Sequence, residues 1–216
     1  MKIIQPTAKI INPDSYESAT KMLLIIEEAA RTCYKSEDKL SNKPNEEFIK
    51  SLIKKGHLSV IEHGFATVKV ICDRGVSHEL VRHRIASYSQ ESTRYCNYSK
   101  GKFGNELTFV MPYKIRRETA KFIIWYNAMK EIEQAYFDML KHGATPQEAR
   151  AVLPNSLKTE IVITMNFREW RHFLFTRLHP AAHPDMRIVA WLILLNLKDY
   201  FKIIFEDIYE QYKNEF

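Results

Sequence analysis

The chain has 216 residues, 45% hydrophobic and 27% charged, ordinary values for a folded globular protein that exclude disorder. Six Gly and eight Pro exclude collagen-like and low-complexity classes, and the length admits one domain or two small ones, with a core that needs no staples. A net charge of +6 admits nucleic acid, a membrane surface or an acidic small molecule as partner without choosing among them.

Residues 2–11 read as a first strand. Asn12-Pro13 has the form of a helix N-cap followed by Pro at the first helical position. Tyr16, Ala19, Leu23, Ile26, Ala30 and Cys33 then recur at helical spacing, predicting a helix to about Tyr34. After a polar loop over 35–44, residues 45–55 predict a second helix stopped by Gly56. FATVKVIC (65–72) is β-branched and predicts a strand, and 77–84 a short helix. Residues 85–105, rich in Ser, Tyr, Asn and Gly, predict a long loop, and such loops in compact domains are usually functional. A strand over 106–111 follows, then a long helix over 116–142 ending at Gly143. Thr145-Pro146-Gln147-Glu148 is a capping box that opens a short helix. Residues 158–165 alternate as a strand, and 168–177 and 185–212 predict helices. The sum is an α+β fold: an antiparallel or mixed sheet flanked by helices, a single domain with a long C-terminal helical part.

Several chemistries are not signalled. There is no GxGxxG, no GxxxxGK[ST], no GxSxG and no HExxH. Three widely spaced cysteines without CxxC argue against a disulfide framework or zinc ribbon. The eight His sit largely among Arg, which would repel a cation, so no metal is expected. The richest apolar run, 188–195, is too short to span a bilayer. The first residues carry Pro and a second Lys where a signal peptide needs an apolar stretch, so a cytoplasmic location is expected.

The 32 cations divide into 20 Lys and 12 Arg, unevenly placed. Between Lys69 and Lys100 there are four Arg and no Lys, and the same holds between Lys158 and Lys198. Arg without Lys points to planar, bidentate contacts with phosphate or carboxylate. The densest constellation runs from Arg82-His83-Arg84 to Arg94, with Ser87, Ser89, Ser92 and Thr93 between. So many donors suit phosphates and uracil- or flavin-like rings.

Arg82-His83-Arg84, seven residues and then Ser92 resemble the RHR-x7-S signature of the flavin-dependent thymidylate synthases. Gly56-His57-Leu58-Ser59-Val60-Ile61-Glu62-His63 resembles that family's GHxSxxEH segment. Arg150-Ala151-Val152-Leu153-Pro154, Thr159, Asn166-Phe167-Arg168, His172-Phe173 and Arg177 resemble its second block, and the likeness extends over roughly 15–195. The resemblance implies one synthase domain over 1–216 and a homotetramer binding FAD where subunits meet. It implies FAD contacts at Ser59, Glu62, Arg82, His83, Arg84, Gln90, Asn166, Arg168 and His172. It implies deoxyuridylate (dUMP) contacts at Glu79, Arg82, Ser92, Arg94 and Arg150, with Gln90, Glu91 and Thr93 lining the loop. Arg177 matches the Arg credited with activating the pyrimidine. Methylene-tetrahydrofolate and NADPH are the implied co-substrates, with neither nucleic acid nor membrane as partner.

The residue types suit that chemistry. C5 of uracil is a poor nucleophile, and a permanently charged guanidinium at the uracil edge would stabilise its anionic form without a Cys nucleophile. Arg168 and His172, four apart, share a helix face, as do Asn166 and Arg177 if the helix is continuous. The chain departs from the usual pattern at Ser89, Gln90, Ala181 and His183-Pro184. A flavin-retaining homologue of changed activity and a basic nucleic-acid-binding module stay open as alternatives.

Overall fold

The computed structural model describes residues 1–101 and 104–216. Two strands of the predicted first stretch, β1 (Lys2–Ile4) and β2 (Thr7–Asn12), precede helices α1 (Tyr16–Tyr34) and α2 (Glu46–Lys54). Strand β3 (Phe65–Asp73), helix α3 (Arg74–Leu80) and strands β4 (Ser87–Gln90) and β5 (Thr108–Val110) follow. Then come α4 (Ala120–Lys141), α5 (Pro146–Ala149), β6 (Lys158–Asn166), α6 (Phe167–Leu178), α7 (Pro184–Tyr200) and α8 (Lys202–Tyr212). The predicted α+β class holds. A four-stranded sheet has the order β2-β3-β6-β4, and β1 pairs with β5 in parallel. Thr67 meets Thr164 while the Arg74 N–H reaches the Leu157 carbonyl, so β3 and β6 run antiparallel.

The chain forms two compact units, each made of separate segments. The first holds 1–7, 71–82 and 89–161. Its core gathers Leu107, Phe109, Met129, Tyr136, Ala149 and Leu157. Here the predicted capping box is present in full: the Glu148 N–H donates to Thr145 Oγ1, and Glu148 receives the Thr145 N–H. Helix α4 starts later than the predicted Arg116, at Ala120, because the Thr119 hydroxyl caps Phe122.

The second unit holds 8–70, 83–88 and 162–216. Its centre is α6, whose Phe167, Trp170, Phe173 and Leu174 are fully buried. Phe167 packs on Phe201 at 4.4 Å between ring centroids, and the Trp170 indole donates to the Ala66 carbonyl at 3.0 Å. Burying each such ring contributes roughly 1.5–3 kcal/mol, which holds α6 firmly enough to present polar side chains from its other face.

Several predicted boundaries shift. The α1 N-cap is Ser15, accepting from Ser18 N–H, and not Asn12, whose peptide with Pro13 is cis. The short helix begins at Arg74 and not at Ser77, because the Asp73 carboxylate caps Val76 at 2.8 Å. Strand β4 lies within the predicted loop over 85–105, of which residues 102–103 fall outside the described ones. The predicted helix over 185–212 is two helices, broken at Phe201, whose backbone leaves the helical region at φ −132° and ψ 53°.

Candidate active site

In the second unit α6 carries several of the expected side chains. Asn166 caps its start, its side-chain oxygen accepting the Glu169 N–H at 2.9 Å. Arg168, two residues on, donates to Glu62 at 2.6 Å across 106 positions of sequence. Near the far end the Arg177 Nε–H donates to His83 Nε2 at 3.1 Å. The opposite ring nitrogen, His83 Nδ1, lies 3.4 Å from a Glu169 carboxylate oxygen. Phe173 packs edge-on against the His83 ring at 5.0 Å and His172 at 5.7 Å. The Tyr88 hydroxyl donates to the His83 carbonyl at 2.7 Å.

The electrostatics follow from this packing. Burial, with the positive charge of Arg177 and the neighbouring His172, pushes His83 down to about 4. The ring is therefore neutral near pH 7, and because Nε2 accepts from a guanidinium, its one proton sits on Nδ1, facing Glu169. Burial raises the Glu169 carboxyl above its ordinary range. Ligand atoms of His83, Glu169 and His172 lie within 4.8 Å of one another, as a metal site would require. A cation there would sit close to the positive charge of Arg177, whose Nε–H is bonded to the same His83 ring.

A cleft of about 580 Å³ opens beside these side chains. Its wall includes Leu58, Ile85 and Phe175 as apolar surfaces and Glu62, Arg168 and His172 as polar ones. Asn166 and Glu169 complete it together with Arg171. Ser59 is exposed in the 3₁₀ turn Leu58–His63, and Arg84 is exposed next to His83. Of the expected cofactor residues, Glu62, Asn166, Arg168 and His172 thus line one cleft, and His83 sits against its Glu169.

The first unit holds the other expected set. Glu79 and Arg82 lie on and just after α3, with Arg82 exposed. Arg94 donates to Gln147 at 2.8 Å, which brings the Ser92–Arg94 turn next to α5, and the exposed Arg150 follows directly on that helix. Three expected loop residues are engaged inside the unit. Gln90 donates to Ser77 and Thr159, Glu91 pairs with Lys158 at 2.9 Å and accepts from Tyr98, and Thr93 is buried.

Two Arg of the Lys-free stretches serve structure. Arg171 grips Asp207 of α8 with two bonds and also reaches the Ile204 carbonyl. Arg187 donates to the Leu178 carbonyl, pairs with Glu215 and lies over the Phe216 ring. The scarcity of Lys there thus reflects, in part, Arg side chains that tie helices together.

A sequence profile for the family described as thymidylate synthase complementing protein matches residues 17–201. A flavin-dependent thymidylate synthase of Geobacter sulfurreducens is 36% identical over 186 residues, 83% of this chain and 78% of that protein. The chain belongs to the flavin-dependent thymidylate synthase family.

Other family members are shared in part. A flavin-dependent thymidylate synthase of Thermococcus onnurineus is 38% identical over 73% of this chain and 64% of its own length. That of Pyrococcus abyssi is 41% identical over 64% of this chain and 57% of its own length. The match thus spans about three fifths of these archaeal relatives. Among solved structures, a UMP/dUMP methylase, PolB from Streptomyces cacaoi bound with 5-Br dUMP, superposes with a TM-score of 0.75. It is 20% identical, with 98% of both chains covered, and this likeness establishes the fold.

A flavin-dependent thymidylate synthase family implies a flavin, and the cleft residues fit one. Leu58, Ile85 and Phe175 offer apolar surface to a ring, and Arg168 and His172 offer donors to an anion. The departure at His183-Pro184 builds a helix start: His183 Nδ1 accepts the Asp185 N–H, and Pro184 takes the first helical position. Glu169 escaped the sequence reading. Glu169, Phe173 and Arg177 recur every four residues, so the helical period alone could have placed them along one side of α6.

Proposed function

We propose that the protein converts dUMP to thymidylate by reductive methylation, taking the one-carbon unit from methylene-tetrahydrofolate. FAD supplies the hydride in its reduced form, which NADPH restores. Ser59, Glu62, Arg82, His83, Arg84, Gln90, Asn166, Arg168 and His172 are the residues assigned to hold it. The observation that carries this reading is the 3.1 Å hydrogen bond joining His83, centre of the RHR signature, to Arg177. It sets a permanently charged group in a defined position.

In this role Arg177 stabilises the negative charge that develops on the uracil when N3 gives up its proton, which raises electron density at C5. Ser92, Arg94 and Arg150 supply donors for the phosphate dianion, with Glu79 and Arg82 on the same nucleotide. Gln90, Glu91 and Thr93 hold the loop that presents Ser92 and Arg94. The whole chain serves as one synthase domain in a cytoplasmic homotetramer with FAD at subunit interfaces. Exposed apolar side chains such as Ile85, Ile123 and Ile124 support assembly. Among the described residues no helix is long and apolar enough to cross a membrane.

The test uses one purified sample. Visible absorbance should reveal flavin, and dUMP tritiated at C5 should release tritium only with methylene-tetrahydrofolate and NADPH present. A yellow protein that releases none is a flavin-retaining homologue of other activity. A colourless protein that gains no absorbance with added FAD ends the reading. Light scattering that returns the mass of a single 25.5 kDa chain ends the tetramer.

A further inference from the structure

We infer that Glu169 is a positioning residue, which holds the His83 ring with its proton on Nδ1 so that Nε2 is free to anchor the Arg177 guanidinium. The chain of contacts is short and buried. Glu169 is 9% exposed and His83 7%, and the two spacings are 3.4 and 3.1 Å. An Arg Nε–H can only donate, so the nitrogen that faces it must carry a lone pair. In a neutral imidazole the other nitrogen then carries the hydrogen, and the group beside that nitrogen decides whether this tautomer is favoured. Here that group is a carboxylate. If the proton moved to Nε2, two N–H groups would face each other and this hydrogen bond to the guanidinium would be lost.

The groups around the ring are consistent with this function. Glu169, His172, Phe173 and Arg177 approach from α6, and Tyr88 from β4 holds the His83 backbone through its carbonyl. Of these, only the Glu169 carboxylate faces Nδ1 as an acceptor. Glu169 adds no charge at the reacting atoms. Its influence travels through the ring, as the carboxylate partners of other functional histidines act by fixing a tautomer.

The consequence for turnover rests on the thymidylate synthase reading, while the tautomer does not. The test therefore has two arms. In protein labelled with ¹⁵N-histidine, the signal absent from H83Q belongs to His83. It should show protonated Nδ1 and unprotonated Nε2 in the parent protein, and a shift toward protonated Nε2 in E169A. In the tritium-release assay, E169A should lose turnover by about 10- to 100-fold, the range seen when a histidine's orienting partner is removed. KM for dUMP should change little, flavin absorbance should be retained, and E169Q, whose carbonyl can still accept the Nδ1–H, should recover most of the loss. A merely structural Glu169 would lower the melting temperature without moving the tautomer. An unchanged His83 signal in E169A, or full turnover in a flavin-loaded E169A, would overturn the inference. If the parent protein itself lacks turnover, the reaction has been misread, and the ¹⁵N spectra still decide the role of Glu169.

Discussion

Arg171 on α6 and Asp207 on α8 face each other as two planar forks, their paired atoms 2.7 and 2.6 Å apart. The guanidinium is buried while the carboxylate is more than half exposed, at 54%. Arg171→Ala should therefore destabilise the protein by about 2 kcal/mol, below the cost of breaking a fully buried pair. Arg171→Lys should recover little, since an ammonium cannot satisfy both oxygens and the Ile204 carbonyl together. Urea unfolding midpoints measure both, and an unshifted midpoint for the Ala variant would contradict the assignment.

Gly64 tests the packing beneath the cleft. A Cβ there would stand 2.5 Å from a ring carbon of Phe167 and 2.7 Å from the Ile26 side chain. Both neighbours are fully buried and cannot step aside. Gly64→Ala should cost about 1–3 kcal/mol, as overpacking of a dense core does, and should be read as a lower melting temperature.

Much of this architecture is legible in local patterns. The periodicity of α1 and α2, the capping box at Thr145 and the alternation of β6 are all set by neighbours a few residues away. The misplaced features depend on distant partners. Nothing in Tyr200-Phe201-Lys202 signals a break, since no Gly or Pro is present. The helix parts there, where Phe201 packs against Phe167, 34 positions earlier. Strand β4 is hidden for the same reason, because its four residues become a strand only by pairing with β6. The site divides likewise. The RHR signature is visible as a string, whereas the contact of Glu169 with His83 requires the fold.

His83 should make stability depend on pH. Above pH 6.5 both the folded and the unfolded chain hold a neutral ring, and its contribution is flat. Between 6.5 and about 4 only the unfolded chain takes up the proton, so stability falls as pH falls. Below about 4 the loss levels off at about 3 kcal/mol. The raised Glu169 carboxyl acts in the opposite sense, gaining stability as it protonates in acid. The comparison of parent with His83→Gln isolates the histidine: the parent should lose more stability from pH 6.5 to 4.5 than the variant. Parallel profiles would contradict the buried neutral ring.

Arg177→Ala should reduce turnover by at least about 100-fold, the scale on which removal of one charge-stabilising donor acts, with flavin absorbance retained. Arg177→Lys should not restore it, because an ammonium has a different reach and no Nε–H for His83. Substantial tritium release by either variant would refute the role given to this side chain.

Arg94 should act on affinity. Losing one charge-assisted donor to a phosphate is worth about 1.5–3 kcal/mol, so Arg94→Ala should raise KM for dUMP by about 10- to 100-fold. Turnover at saturation should remain near that of the parent. A loss confined to turnover would place Arg94 elsewhere in the reaction.

The pair between Arg168 and Glu62 gives the cleft a built-in competitor. The two side chains are 54% and 43% exposed, so breaking their bridge costs no more than about 1 kcal/mol. An anion approaching Arg168 would therefore have to displace Glu62. A singly charged anion merely trades one partner for another. A polyanion that also reaches His172, and lays a ring on Leu58 or Phe175, gains more than it displaces. On the proposed function, such an exchange would filter ligands by valence and shape before any chemistry begins.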